Sequence, residues 1–293
     1  MSEKTCMLAQ AGDETKIDQM IASGNWHFER KYDGERGVMQ VVRGGGLLIV
    51  YLRNRQGKTI NTQFPELVEM GKHLPSGIYD GEIYVPSNSA NKDKPTTAGR
   101  TSVGEADAKL RARINPATFM CFDVLEFEGE NIEKKNYEER KARLSEVSSL
   151  GIVGFKGVMP ETNPRAAWDE IRGSGDEGMV AKRRGSPYSH TRSPHWCKLK
   201  TWNEEDFDVV GITSEKREVS ALVLDNGMKV NCALNGEAYA ALIADLVRSG
   251  EIMKCADGTT ATKLTKHYRA KVKFLNKSAS GLRFPILHQL EGF

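Results

Sequence analysis

The chain has 293 residues, enough for two ordinary domains with a core each. Hydrophobic residues make up 39% and charged residues 28%, a globular balance, and no apolar run approaches the roughly 20 residues that cross a bilayer, which argues against a membrane partner. The net charge of +3 decides little by itself, so its distribution carries the information.

The opening stretch MSEKTCMLAQAGDETK mixes acidic and polar residues where a secretory or transit segment needs an apolar or Arg-rich run, so the expected location is cytoplasmic. In DETKIDQMIAS, Ile17, Met20 and Ile21 fall at i, i+3 and i+4, with Asp13 as cap and Gly24 as stop, which predicts a short amphipathic helix. NWHFERKYDG, RGVMQVVR, LLIVYLRN after the Gly44-Gly45-Gly46 turn, and GIYDGEIYVP are rich in β-branched and aromatic residues and read as antiparallel strands. The polar stretch from Pro86 to Arg113 is expected to begin as an exposed loop, its Lys92, Lys94, Arg100, Arg111 and Arg113 meeting phosphates. ATFMCFDVLEF is a further strand, and YEERKARLSEVSSL a helix with Leu144, Val147 and Leu150 on one side. EGMVAKRR and HWCKLKT complete the first strand set.

TWNEED reads as a linker, which places the domain boundary at 201/202. Beyond it FDVVGITS, SALVLDNGMKVNCAL, a helix around EAYAALIADLVRSG, HYRAKVKFLN and LRFPILHQL suit a small Greek-key barrel of the OB type. Asn226-Gly227 between apolar runs signals a hairpin. The five cysteines (Cys6, Cys121, Cys197, Cys232, Cys255) form no CxxC pair, so free thiols are expected rather than a zinc site or disulfide framework. Residues 181–200 and 263–283 carry six and seven Lys/Arg with no acid, the pattern of surfaces that face phosphates.

Chemistry concentrates in three short segments. Lys31-Tyr32-Asp33-Gly34-Glu35-Arg36 sits at a strand end, where a nucleophile can be presented. Lysine near its reference pKa of ~10.4 is protonated and inert, so a nucleophilic lysine needs nearby cations, a metal or desolvation. In WCKLK the period-2 geometry of a strand puts Trp196, Lys198 and Lys200 on one face, and in YDGEIYV it puts Asp80 and Glu82 together, a pair suited to a ribose hydroxyl or a Mg²⁺ shell. Singly, each segment has a plain structural reading: a charged turn, a hairpin corner, an amphipathic strand.

In this order the segments resemble the covalent nucleotidyltransferase superfamily, and within it the ATP-dependent DNA ligases. KYDGER at 31–36, Asp80-Gly81-Glu82, FMCFDVLEFEGENI around Phe122, Glu177-Gly178-Met179-Val180-Ala181-Lys182 and WCKLK at 196–200 carry the likeness. Lesser matches are MLA at 7–9, NRQGK with Arg55, FPEL at 64–67 and SPYSHTRSPHW. SGLRFPILHQLEGF, with Arg283, resembles the end of the short ligases of bacteriophages and large DNA viruses, and a phage-encoded chain would work in the host cytoplasm.

The resemblance implies an α+β fold, with a nucleotidyltransferase (adenylation) domain over 1–201 and an OB-fold domain over 202–293. It implies that Lys31 attacks the α-phosphate of ATP and carries AMP as a phosphoramide. Glu29 would frame the adenine and Phe122 would stack on it; Arg36, Arg55, Glu82 and Lys182 would hold the rest of the nucleotide. Glu177, with Glu82, would bind Mg²⁺ or Mn²⁺, while Lys198 and Lys200 neutralise charge on the α-phosphate. Arg283, with Lys271 and Lys273 as alternates, would orient pyrophosphate. The implied partner is nicked duplex DNA with 3′-OH and 5′-phosphate termini, engaged by a monomer. The same lysine would serve an RNA ligase or an mRNA-capping guanylyltransferase, and a non-catalytic OB-fold nucleic-acid binder is the alternative from another class.

Overall fold

A computed structural model of the chain describes residues 6–86, 97–100, 102–215, 218–232, 234, 236–278 and 281–292. It divides into two compact units, Met1–Thr201 and Trp202–Phe293.

The first unit runs β1 (Leu8–Ala11), α1 (Ile17–Ala22), β2 (Trp26–Arg30), β3 (Glu35–Gly44), β4 (Leu47–Asn54), α2 (Pro65–Gly71), β5 (Gly77–Tyr84), α3 (Thr97–Arg100) and α4 (Glu105–Ile114). It continues through β6 (Thr118–Phe127), β7 (Glu130–Asn131), α5 (Tyr137–Ser149), β8 (Phe155–Gly157), α6 (Pro164–Ser174), β9 (Gly178–Arg183) and β10 (Arg192–Lys200). Two sheets form, in the orders β1-β10-β9-β2 and β4-β3-β5-β6-β7, with β8 beside β6. Pairing is antiparallel except for β1 on β10 and β8 on β6, which are parallel.

Alternation explains how the sheets are buried. In β2, Phe28 points into a core with Ile17, Trp168, Ile171, Met179 and Leu199, so α1 and α6 cover one face of the four-stranded sheet and Glu29 is left for the other. The larger core gathers Met39, Leu52, Phe64, Leu67, Tyr79, Phe119, Leu144 and Val147 between the second sheet, α2 and α5. Each such fully buried side chain contributes on the order of 1.5–3 kcal/mol. A smaller cluster of Met7, Leu125, Tyr188 and Trp196 draws on both sheets.

Helix α5 starts on a capping box in which Asn136 and Glu139 exchange side-chain and backbone bonds. Its Leu144 and Val147 are buried as expected, but Leu150 is 56% exposed: it caps the helix end and turns away. The 86–113 stretch also departs from expectation. Lys92 and Lys94 lie outside the described residues; α3 and α4 are helical; and Arg100, 2% exposed, pairs with Glu66 and donates to the carbonyls of Gln63 and Asn115, so it cannot meet phosphates. Helices α2 and α6, each opening on proline, have no counterpart in the sequence reading.

The second unit contains β11 (Asn203–Glu215), β12 (Glu218–Leu224), β13 (Lys229–Asn231), α7 (Gly236–Ser249), β14 (Ile252–Lys254), β15 (Thr260–Phe274), β16 (Lys277–Ser278), β17 (Gly281–Leu282) and β18 (Ile286–Glu291). Its main sheet runs β13-β12-β11-β15-β14 with β18 on β15, an OB-type plan around Val209, Ile212, Leu222, Leu224, Tyr268 and Val272. The Asn226-Gly227 hairpin is present, with a positive φ at Gly227.

TWNEED is not a linker beyond Trp202, because β11 begins at Asn203. Three acids of β11 lie opposite bases of β15: Glu204 faces Lys273, Asp206 faces Lys271 and Asp208 faces Arg269. Much of the basic run 263–283 is therefore answered within its own sheet, as cross-strand pairs of opposite charge favour.

Asp245 on α7 is 1% exposed and accepts from the backbone N–H groups of Thr265 (2.9 Å) and Lys266 (3.0 Å) and from the Thr265 hydroxyl, tying the helix to β15. Burial acts to raise its carboxyl pKa, but these hydrogen bonds outweigh burial and hold it below the ordinary value. Asp245→Ala, which removes the acceptor for three part-buried donors, should cost about 1–3 kcal/mol in denaturant unfolding at neutral pH. A depressed pKa means that this stability exists above the unfolded value and is lost as pH falls through the folded one, so the deficit should shrink in acid.

Candidate active site

A cavity of about 450 Å³ is lined by one strand after another: Glu29 from β2, Lys31 just past its end, Arg36 from β3, Glu82 from β5, Phe122 from β6, Lys182 from β9, and Trp196, Lys198 and Lys200 from β10. Arg55 and Glu177 complete the set relevant here. All expected first-unit site residues thus meet at one place.

Two glycines explain why the strands can converge. A Cβ on Gly34 would sit 2.1 Å from the Ile83 carbonyl oxygen, and one on Gly81 would sit 2.7 Å from the Phe119 ring. Only glycine lets the turn after Lys31 press against β5, and β5 against β6.

Lys31 is aimed by main chain and side chain together. Its N–H donates to the Gly178 carbonyl at 2.9 Å, and its Nζ donates to Glu177 Oε2 at 2.5 Å. The other oxygen of Glu177 holds Lys200 at 3.1 Å. Burial pushes the Lys198 ammonium below its ordinary pKa, and Lys200, Arg192 and Lys31 push it the same way. One carboxylate is therefore shared by a cluster of ammonium groups, a ready seat for phosphate.

The Glu29 side of the cavity is drier. Glu29 Oε2 pairs with Lys182 at 2.8 Å, and Oε1 accepts from Tyr137 at 2.5 Å and pairs with Lys141 at 2.7 Å. Burial lowers the Lys182 pKa to about 8, against the pull of Glu29. The Lys182 ammonium stands 4.2 Å from the Trp196 ring centroid and 4.7 Å from that of Phe122, within cation–π range.

Asp80 and Glu82 share a face as the strand period predicts, but they part in role. Asp80 is fully buried, takes both prongs of Arg36 and accepts from Tyr188 at 2.7 Å, and it does not line the cavity. It anchors Arg36, whose guanidinium lies 4.5 Å over the Phe122 ring. Phe122 accordingly lines the cavity with a cation already on its ring. Arg283, together with Lys271 and Lys273, belongs to the second unit; its main chain pairs with Leu275 and Asn276, and its guanidinium packs on Phe284.

Sequence reasoning missed Tyr137, Lys141 and Tyr188. The first two sit in YEERKAR, which reads as a solvated helix face, and only the capping residues Asn136 and Glu139 carry a local signal.

Glu82 supplies a pH test. Burial pushes its carboxyl up to about 7, while Lys31 and Arg36 pull it down. A raised folded-state pKa gives stability that is fully present below the unfolded value of about 4.3 and is lost as pH rises through 7. Glu82→Gln, neutral throughout, should therefore gain thermal stability over the parent at pH 8 and gain less at pH 5, in melts without nucleotide or metal.

Comparison with known proteins follows the same line. The family described as the ATP dependent DNA ligase domain matches residues 6–200. The bifunctional non-homologous end joining protein LigD of Bacillus subtilis is 26% identical over 222 residues, covering 69% of this chain and 36% of that protein. The chain thus spans about a third of that relative's length. Among solved structures, the ATP-dependent DNA ligase of bacteriophage T7, in complex with ATP, covers 99% of each chain at 17% identity with a TM-score of 0.54. A structure from work on Lig E DNA ligases covers 98% of this chain and 99% of its own at 16% identity, with a TM-score of 0.66. The fold of both units is that of these enzymes, and the match over residues 6–200 makes the chain a member of the ATP-dependent DNA ligase domain family.

Proposed function

We propose that the chain seals nicks in duplex DNA with ATP, through an adenylate on Lys31, and that one chain is the working unit. The observation that carries this reading is the placement of the Lys31 amine, 2.5 Å from Glu177, in a cavity shared with Lys198, Lys200 and the Glu29–Lys182 pair.

In the first step Lys31 Nζ bonds to the α-phosphorus while the bond to the pyrophosphate oxygen breaks. The ammonium groups of Lys198 and Lys200 stabilise the charge that gathers on the phosphoryl oxygens, which is the main task in such transfers. AMP then passes to the 5′-phosphate of the nick, and the 3′-hydroxyl displaces it.

Mg²⁺ or Mn²⁺ would be held by Glu82 and Glu177. Burial, with Glu177 nearby, pushes the Glu82 carboxyl pKa up to about 7, and a cation held there would favour its charged form. Among the described residues no group of three or more His, Cys, Asp or Glu offers an all-protein cage, in keeping with an ion that leaves most of its shell to water and phosphate. Bound there, the ion would shield phosphate charge. Glu177, which also holds the Lys31 amine at 2.5 Å, would share its carboxylate between that amine and the ion.

With ATP and Mg²⁺ the protein should form an acid-labile, base-stable adenylate, and folded Lys31→Ala should form none; label on that variant would sink the assignment. A sealing assay on nicks with DNA or RNA on either side then fixes the substrate.

Arg283 is proposed to act on the leaving pyrophosphate. Sealing a nick that already carries AMP releases no pyrophosphate, so Arg283→Ala should slow self-adenylation by at least about tenfold more than it slows that last step. Equal losses would make Arg283 a DNA-binding or folding residue and move the role to Lys271 or Lys273.

A further inference from the structure

Lys141 and Tyr137 lie behind the cavity wall, and neither lines it. Both are buried on α5, five percent exposed or less. The Lys141 ammonium has three donors and three acceptors: the Phe122 carbonyl at 2.8 Å, the Val158 carbonyl at 2.6 Å and Glu29 Oε1 at 2.7 Å. The Tyr137 hydroxyl donates to the same Oε1 at 2.5 Å. Nothing in the nucleotidyl-transfer chemistry requires a second buried lysine here. Burying an ammonium is costly, so its full set of partners calls for a reason.

The two donors saturate Oε1 and fix the plane of the Glu29 carboxylate. Oε2, the oxygen those donors leave, pairs with the Lys182 ammonium, which also donates to the Phe122 carbonyl at 3.0 Å, and Glu29 and Lys182 both line the cavity. The cavity wall therefore presents an acceptor, Glu29 Oε2, beside a donor, Lys182 Nζ. A 6-aminopurine offers the complement, an amino donor at C6 beside the N1 acceptor. A 6-oxopurine offers the reverse, an acceptor at C6 and a donor at N1, and would set oxygen against carboxylate.

We propose that Lys141 and Tyr137 are positioning residues for purine selection: by locking Glu29 as an acceptor beside Lys182 they restrict the cavity to 6-aminopurine nucleotides. The inference rests on the adenylation chemistry proposed above. If either donor is removed, the carboxylate can rotate or recruit water, and the fixed acceptor–donor order loosens. A site built on paired hydrogen bonds discriminates strongly only while its own polar groups are held in place.

The test compares self-nucleotidylation of Lys31 by ATP and by inosine triphosphate in the parent, Tyr137→Phe and Lys141→Met, with thermal melts as a folding control. For either folded variant, KM for ATP should rise and the ATP-to-inosine-triphosphate ratio of kcat/KM should fall by about tenfold, with kcat for ATP within a few-fold of the parent. If Lys141→Met does not fold, Tyr137→Phe, which removes only an oxygen, decides alone. An unchanged ratio in a folded variant, a loss of kcat with KM unchanged, or a parent that uses both nucleotides equally would overturn the inference. A parent that takes no label from ATP would instead overturn the adenylation reading on which it rests.

Discussion

Glu177 carries two ammonium groups at once, Lys31 on one oxygen and Lys200 on the other. A buried carboxylate with one lysine would be a closed ion pair, indifferent to a phosphate. With two lysines on it and a third, Lys198, nearby, the cluster keeps positive charge in excess, and anions are drawn to it. The Lys31 amine is thus held in place by a bond that can be exchanged for another. Much of the first unit serves this arrangement: the four-stranded sheet sets Lys31, Glu177 and Lys200 in register through β2, β9 and β10.

The price of the site is a set of buried charges, each of which had to be answered. Asp80 binds Arg36, Asp123 binds Arg140, and Glu29 binds Lys141 and Lys182. Such pairs seldom add stability over an apolar core of the same shape, whereas breaking one is expensive. Their value lies in direction. Arg140 also donates to the carbonyls of Lys135 and Ser186, fastening α5 to the loop before β10. Position of the helix and position of the site are consequently one problem.

The strands are legible in the sequence because alternation survives in them: Phe28 and Leu199 face the apolar core under α1 and α6, Glu29 and Lys198 face the cavity. Lys31, Glu82, Glu177 and Lys200 could be gathered from separate motifs because the spacing along each strand is short-range information. Helix α6 was within reach, with Asn163 as cap, Pro164 as opener and Gly175 as stop, around Ala167, Trp168 and Ile171. Helix α4 was not, since Leu110 and Ile114 remain exposed and leave no buried stripe to detect. The inward turn of Arg140 and Lys141 could not be read either, because a lysine that meets two carbonyls and a carboxylate from distant segments looks, along the chain, like any solvated lysine. The acidic start of β11 was misread for a related reason: its counter-charges lie some sixty residues away on β15.

The parallel pairing of β1 with β10 bears on the order in which the protein can be made. Met7 donates to the Tyr188 hydroxyl across 181 residues of sequence, and Leu8 lies beside Arg192. Contacts of such separation form late, after loop closure has been met by other interactions. During synthesis the sheet of β3, β5 and β6 can assemble while β1 still waits for its neighbour, and β10 brings Lys198 and Lys200 with it. A nascent chain therefore has Lys31 long before it has the cations beside it, and the cavity is complete only once the whole first unit has closed.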